Sequence, residues 1–120
     1  YASPNPTFLP YLDSLFHIGS FDKRMKVGGA VAAARRGGLS ATFDELNKYF
    51  TICGMPVASS QYWNSIHGQT PGEAEQDVEG LQTMRTLARN MTFLMKSIAL
   101  GKERYGLPEQ EPFSPTNFIR

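Results

Sequence analysis

The chain has 120 residues, 41% of them apolar, and a net charge of +1 with acids and bases interspersed. That is enough for one domain, too apolar for a disordered segment, and without the concentrated basic face that nucleic acid or an anionic membrane surface requires. The single cysteine, Cys53, leaves no disulfide framework or thiolate metal cluster within the chain and fits a reducing cytoplasm. The longest mainly apolar stretch, 92–100, contains Lys96 and is too short to cross a bilayer, and the opening residues do not read as a signal peptide.

Thr7 suits the N-cap of a first helix running to about Ile18, with Phe8, Leu12, Leu15 and Phe16 on its apolar face and Gly19 ending it. Lys26 to Ala34 is a nearly continuous run of small apolar residues, the pattern of a parallel strand covered on both faces. Arg35-Arg36-Gly37-Gly38 breaks the run. Thr42 to Glu45 reads as a capping box opening a second helix, with Phe43, Leu46, Tyr49 and Phe50 at helical spacing and Gly54 as its C-cap. Met55 to Ser59 is expected as a short second strand, and 60–72 as a long loop. Asp77 caps a last helix whose stripe is Leu81, Met84, Ala88, Met91, Met95 and Ile98, widened by Leu87, Leu94 and Leu100 beside it so that more than one side is expected to be buried. Beyond Gly106 the chain is proline-rich and expected to be extended, lying over a neighbour.

This order is α/β, with one strand–helix–strand crossover unit. Two strands cannot make a parallel sheet covered on both faces, so further strands are expected before Tyr1. Residues 1–106 are then the C-terminal part of a domain, and 107–120 are a tail. Ligands of open α/β sheets bind beyond the carboxyl ends of the strands. That edge would gather Arg35 to Gly38, the loop from Ser59 to Gly68 with Tyr62, Trp63, Asn64 and His67, and, if a strand ends at Tyr1, the loop from Tyr1 to Asn5. Amide N–H groups, rings and cations of this kind suit a flat aromatic ligand with polar edges. On composition alone Arg35 and Arg36 read as solvated loop charges, and Trp63 with Tyr62 as a packing or subunit contact; their place at strand ends is what favours the ligand reading. The residues show no acid–base pair at catalytic spacing and no nucleophile elbow.

Tyr1-Ala2-Ser3-Pro4-Asn5-Pro6-Thr7 through Asp13 resembles the segment after the third strand in the flavodoxin-like, NAD(P)H-dependent FMN reductases. The likeness is to the branch with the WrbA-type quinone reductases and the iron–sulfur flavoproteins. Lys26 to Gly38 is similar to that family's fourth strand and following loop. Gly54 to Ser59 resembles its fifth strand, and Asp77 to Gly80 with Ala88 to Met91 its closing helix. The resemblance implies a flavodoxin-like doubly wound parallel sheet, seen here in its C-terminal portion with the N-terminal strands missing. It also implies FMN as cofactor, NAD(P)H as reductant, a quinone or other small acceptor, and a homodimer or homotetramer. Tyr1, Ala2, Ser3, Pro4 and Asn5 would contact the isoalloxazine ring. Arg35, Arg36, Gly37 and Gly38 would lie at its pyrimidine end, and Trp63 and His67 would flank the ring, including that of a neighbouring subunit. The family's phosphate-binding loop, its iron–sulfur cysteines and the usual Gly-Gly-Gln-Glu after the fourth strand (here Gly37-Gly38-Leu39-Ser40) have no counterpart. No protein group is expected to act as a catalytic acid or base, and no metal ligand is expected. The alternatives are a flavodoxin-like electron carrier without nicotinamide activity and a cofactor-free assembly module.

Overall fold

A computed structural model describes residues 1–119. Its elements are helix α1 (Leu9–Asp13), strand β1 (Ala32–Ala34), helix α2 (Leu39–Ile52), strand β2 (Ser65–His67) and helix α3 (Val78–Tyr105). The first helix is shorter than its sequence promises. After Asp13 the backbone widens into a π-helical turn, Ser14–Ile18, where the N–H of Gly19 reaches back five residues to the carbonyl of Ser14. Thr7 does not cap this helix; its N–H and hydroxyl both donate to Oδ1 of Asn5.

The two strands are parallel, Ala32 facing Ser65 and Ala34 facing His67. The second strand is therefore not Met55 to Ser59 but a segment expected to be loop. The expected segment is still extended and beside the first. Gly28 makes a single parallel bridge with Val57, its N–H donating to the Pro56 carbonyl and its carbonyl accepting from Ala58. Four extra residues separate the two pairings: the sequence offset is 29 at Gly28–Val57 and 33 at Ala32–Ser65. The chain loops out near 59–63 and then rejoins β1. Asn64, 1% exposed, closes the gap: its Nδ2 donates to the Ala30 carbonyl, its Oδ1 accepts from Ser60, and its own carbonyl accepts from Ala32.

Neighbouring residues of an extended strand point to opposite faces. A Cβ on Gly28 would meet the ring of Phe50 on α2, and one on Gly29 would meet Met91 and Leu87 on α3. The helices thus cover opposite faces of one sheet, as small residues in a doubly covered strand predict. Ala30, Ala32 and Ala58 are buried between them. Close approach is also required at Gly80, where a Cβ would lie 2.8 Å from Ile66 of β2. That contact sets the rotation of α3. Its buried residues are Gly80, Thr83 and Leu87, with Met91, Leu94 and Ile98 half-buried below them, while Ala88 and Met95 of the expected stripe face outward.

Helix α2 ends as expected at Gly54, which has φ +65°. The N–H of Met55 donates to Phe50 and that of Gly54 to Thr51, the paired bonds of a Schellman motif. Among the described residues no helix is long and apolar enough to cross a membrane. The chain exposes 9192 Å², against about 6,450 Å² for a compact monomer of this mass. Its radius of gyration is 17.1 Å, where about 13.6 Å is usual at this length.

Candidate ligand-binding edge

Both strands end at the same edge. After Ala34 the chain runs through Arg35 to Gly38 into α2, and after His67 it turns at Gly68, whose N–H donates to the Ala34 carbonyl. The opening loop joins them there. A Cβ on Gly38 would lie 2.6 Å from the Cα of Ala2, so the loops 1–5 and 35–38 are in contact. Both are bent through left-handed backbone, Ala2 with φ +55° and Gly38 with φ +90°. Asn5 fixes the far end of the first loop by accepting from Thr7, and its carbonyl accepts from Phe8.

The second helix begins at Leu39, three residues before the expected capping box. Gly38 is its N-cap and offers no side chain to the first turn. Thr42 instead donates its hydroxyl to the Gly38 carbonyl, and Glu45 pairs with Lys48. The N–H groups of Leu39, Ser40 and Ala41 have no hydrogen-bond partner among the described residues. Arg35 and Arg36 are exposed and make no hydrogen bond or ion pair among the described residues. Gly37 has nothing within 4 Å of the place a Cβ would take, and Tyr1, Ala2 and Ser3 are exposed, with Pro4 half-buried. Open amides, two guanidinium groups and an uncovered backbone surface can receive the electron-rich carbonyl edge of a planar heteroaromatic ring.

The sequence-expected residues divide into two groups. Tyr1 to Asn5, Arg35 to Gly38 and His67 share the edge. Trp63 precedes β2 at the end away from Gly68, in a turn where the Ser65 N–H donates to its carbonyl and its ring packs against Tyr62 at 5.2 Å. His67 carries an arrangement that the sequence pattern did not single out. Its backbone N–H donates to Oδ2 of Asp77 at 2.7 Å, and its Nδ1 lies 3.5 Å from the same oxygen. Oδ1 of Asp77 accepts from Gly80, so one carboxylate caps α3 and straps it to the end of β2. The Gly80 and His67 N–H groups hold the Asp77 carboxyl below its ordinary value. Glu73 is likewise lowered by the N–H groups of Gln69 and Thr70 in the next turn. With Tyr62, Ser65 and Thr83, the His67–Asp77 pair lines a cavity of about 160 Å³. The capping aspartate was legible, but its second bond was not, because nothing local to 77 points to 67.

For a flavin ring the edge fits in its donors and its open backbone surface. With one cysteine, the chain cannot by itself supply the ligands of a cysteine-ligated cluster. The Cys53 thiol donates to the Phe16 carbonyl at the far end of α2, and no group of three metal-binding side chains is found among the described residues.

No family model matches the chain, and no solved structure matches it. Among curated proteins, the chain is similar to an iron–sulfur flavoprotein of Methanocaldococcus jannaschii, with 35% identity over 85 residues. The alignment takes in 65% of this chain and 44% of the relative, so the chain spans less than half of the protein it resembles.

Proposed function

We propose that residues 1–106 are the C-terminal part of a flavodoxin-like domain with a doubly wound parallel sheet. In this reading the domain binds FMN and passes electrons from NAD(P)H to a quinone or another small acceptor in the cytoplasm, as a homodimer or homotetramer. The observation that supports it best is the meeting of two loops at one strand edge, Gly38 against Ala2, beside the unpartnered amides of α2 and the free Arg35 and Arg36. The likeness to a flavoprotein supports it from outside the chain.

FMN, when bound, supplies the hydride and electron chemistry. The chain's part is to bind and polarise. Loop 1–5 and Gly37 offer backbone to the ring with no side chain in the way. Amides of Leu39 to Ala41 donate to ring carbonyls, and Arg35 or Arg36 stabilises the negative charge that reduction adds at that edge. Trp63, set apart from Arg35, is assigned to the ring of a neighbouring copy.

The test is a visible flavin spectrum in the intact protein that persists through gel filtration and bleaches on adding NADPH. Replacing Arg35 and Arg36 together by alanine is expected to weaken FMN binding at least tenfold while leaving the fold intact. A colourless protein that leaves FMN fluorescence unquenched would sink the proposal. It would select the cofactor-free assembly role, which the large exposed surface supports independently. A persistent spectrum that NADPH does not bleach would select an electron carrier.

A further inference from the structure

Strand β2 closes the described sheet on one side, and the cavity beyond it holds polar groups that neither the packing nor the candidate edge employs. The backbone of Ser65 and His67 turns away from β1: the N–H of Ser65 donates to the Trp63 carbonyl and that of His67 to Asp77. Between this outer side of β2 and the first turns of α3 lies the cavity of about 160 Å³, with Tyr62, His67, Asp77, Glu79 and Thr83 in its lining. A cavity of about 150 Å³ holds a molecule of benzene. A single ring therefore fits.

Two polar groups in this cavity have nothing to bind. Thr83 is 2% exposed, and its hydroxyl makes no hydrogen bond among the described residues. Thr42, Thr51 and Thr92 each return their hydroxyl to the carbonyl four residues earlier, a common partner within a helix. Thr83 does not, and its oxygen is not sealed from solvent; it opens on the cavity. The second group is Nε2 of His67. Nδ1 of that ring lies 3.5 Å from Oδ2 of Asp77, whose carboxylate is held by the N–H groups of His67 and Gly80. The negative charge favours the ring hydrogen on the nitrogen that faces it. Nε2 then carries the lone pair, and it has no partner among the described residues. An acceptor and a hydroxyl in one cavity suit a ring hydroxyl, which donates to Nε2 and accepts from Thr83. Asp77 and Glu79 repel anions, and Tyr62, paired with Trp63 at 5.2 Å, offers an aromatic face.

We propose that this cavity binds a neutral single-ring phenol, its hydroxyl held between Nε2 of His67 and the Thr83 hydroxyl, with Asp77 fixing the imidazole. The hydroquinone formed when a one-ring quinone is reduced belongs to that class. His67 stands opposite Ala34, one strand spacing of about 5 Å away, so the cavity adjoins the loop that carries Arg35. That the phenol is the reduced acceptor rests on the function proposed above; the binding itself does not.

Hydroquinone in oxygen-free buffer is the probe, titrated into the full chain without flavin and followed by the NMR shifts of backbone amides and the histidine ring. It is expected to bind at millimolar concentration and to move the signals of His67, Gly80 and Thr83, with Nε2 of the imidazole among them. Its dimethyl ether has no hydroxyl to donate, and para-hydroxybenzoate is an anion; both are expected to bind at least tenfold more weakly. Thr83→Val keeps the shape and removes the hydroxyl, and His67→Phe keeps a ring and removes Nε2. Each is expected to weaken hydroquinone binding at least tenfold, with circular dichroism checking the fold. The comparison of ligands on the parent chain decides the matter even where a variant does not fold. Hydroquinone that shifts nothing, an ether or anion bound as tightly, or folded variants that bind as well as the parent would each overturn the proposal. Hydroquinone binding in a protein that takes up no flavin would end the proposed function and leave the cavity's ligand standing. A flavin-loaded protein whose cavity ignores hydroquinone would do the reverse.

Discussion

At Gly38 the backbone sits at φ +90°, and a Cβ there would press on the Cα of Ala2. A side chain is opposed twice, by its own backbone and by the facing loop. Gly38→Ala is expected to cost about 1–3 kcal/mol, read as a lower urea midpoint, and to open the edge where the two loops meet. Gly37→Ala is the control, since nothing lies near its Cβ position, and its midpoint should move little. Asn64 has a different kind of necessity. Its amide stands in for the strand pairing that the excursion at 59–63 removes, bonding Ala30 on one side and Ser60 on the other. Asn64→Leu keeps the volume but leaves the Ala30 carbonyl and the Ser60 hydroxyl without this partner. The expected loss is about 1–3 kcal/mol by urea denaturation. A side chain that replaces a backbone partner leaves no periodic trace, so the sequence pattern identified the run 26–34 and its neighbour near Val57 while missing that the pairing resumes at Ser65.

Elements were legible where their ends are decided locally. The C-terminus of α2 at Gly54 and the N-terminus of α3 at Asp77 follow from residues within a few positions of each end, and both appear as expected. The start of α2 does not. Its capping box at Thr42 to Glu45 gave way to Gly38, because the loop must bend against Ala2, a contact 36 positions away in sequence. The stripe of α3 was rotated for a similar reason: Gly80 allows Ile66 to approach at the first turn, and the rest of the helix follows. The candidate edge divides the same way. The strand end near Arg35 could be read from the chain, whereas the second strand's end at His67, inside a segment expected to be loop, and the place of Trp63 depend on register. Asp77 joins two elements, so its removal should be felt in both. Its carboxyl is held below the ordinary 3.8 by the N–H groups of Gly80 and His67. A group depressed in the folded state stabilises fully above its unfolded value, and that contribution is lost as pH falls through the folded one. The urea midpoint of Asp77→Ala should therefore lie below that of the parent chain by a constant interval from neutral pH to about 4.5. The interval should narrow below about pH 4. An interval unchanged down to pH 2 would mean that the ionised carboxylate is not what joins β2 to α3.

Across the whole molecule, the sheet is completed on one side only. Gly28, Ala30 and Ala32 direct backbone groups toward the 57–67 segment, where each finds a partner. The alternation of a strand sends those of Gly29, Val31 and Ala33 the other way, where no partner exists among the described residues. Val31, with 45% of its surface exposed, sits on that open line. Backbone groups in the middle layer of a covered sheet are rarely left without partners, and an open apolar edge pairs readily with another strand. The doubly wound sheet proposed here supplies that strand, and hydrogen exchange can detect it amide by amide. In the 120-residue chain alone, Val31 and Ala33 should exchange much faster than Ala32, whose N–H donates to Asn64. In a longer protein containing the neighbouring strand, all three should be protected to a similar degree, because both edges of β1 are then bonded. The contrast between odd and even positions isolates strand pairing from general burial, which would slow all three together. If Val31 and Ala33 remain fast while Ala32 is slow in that longer protein, β1 is a true sheet edge and the doubly wound sheet is wrong, even if a flavin is bound.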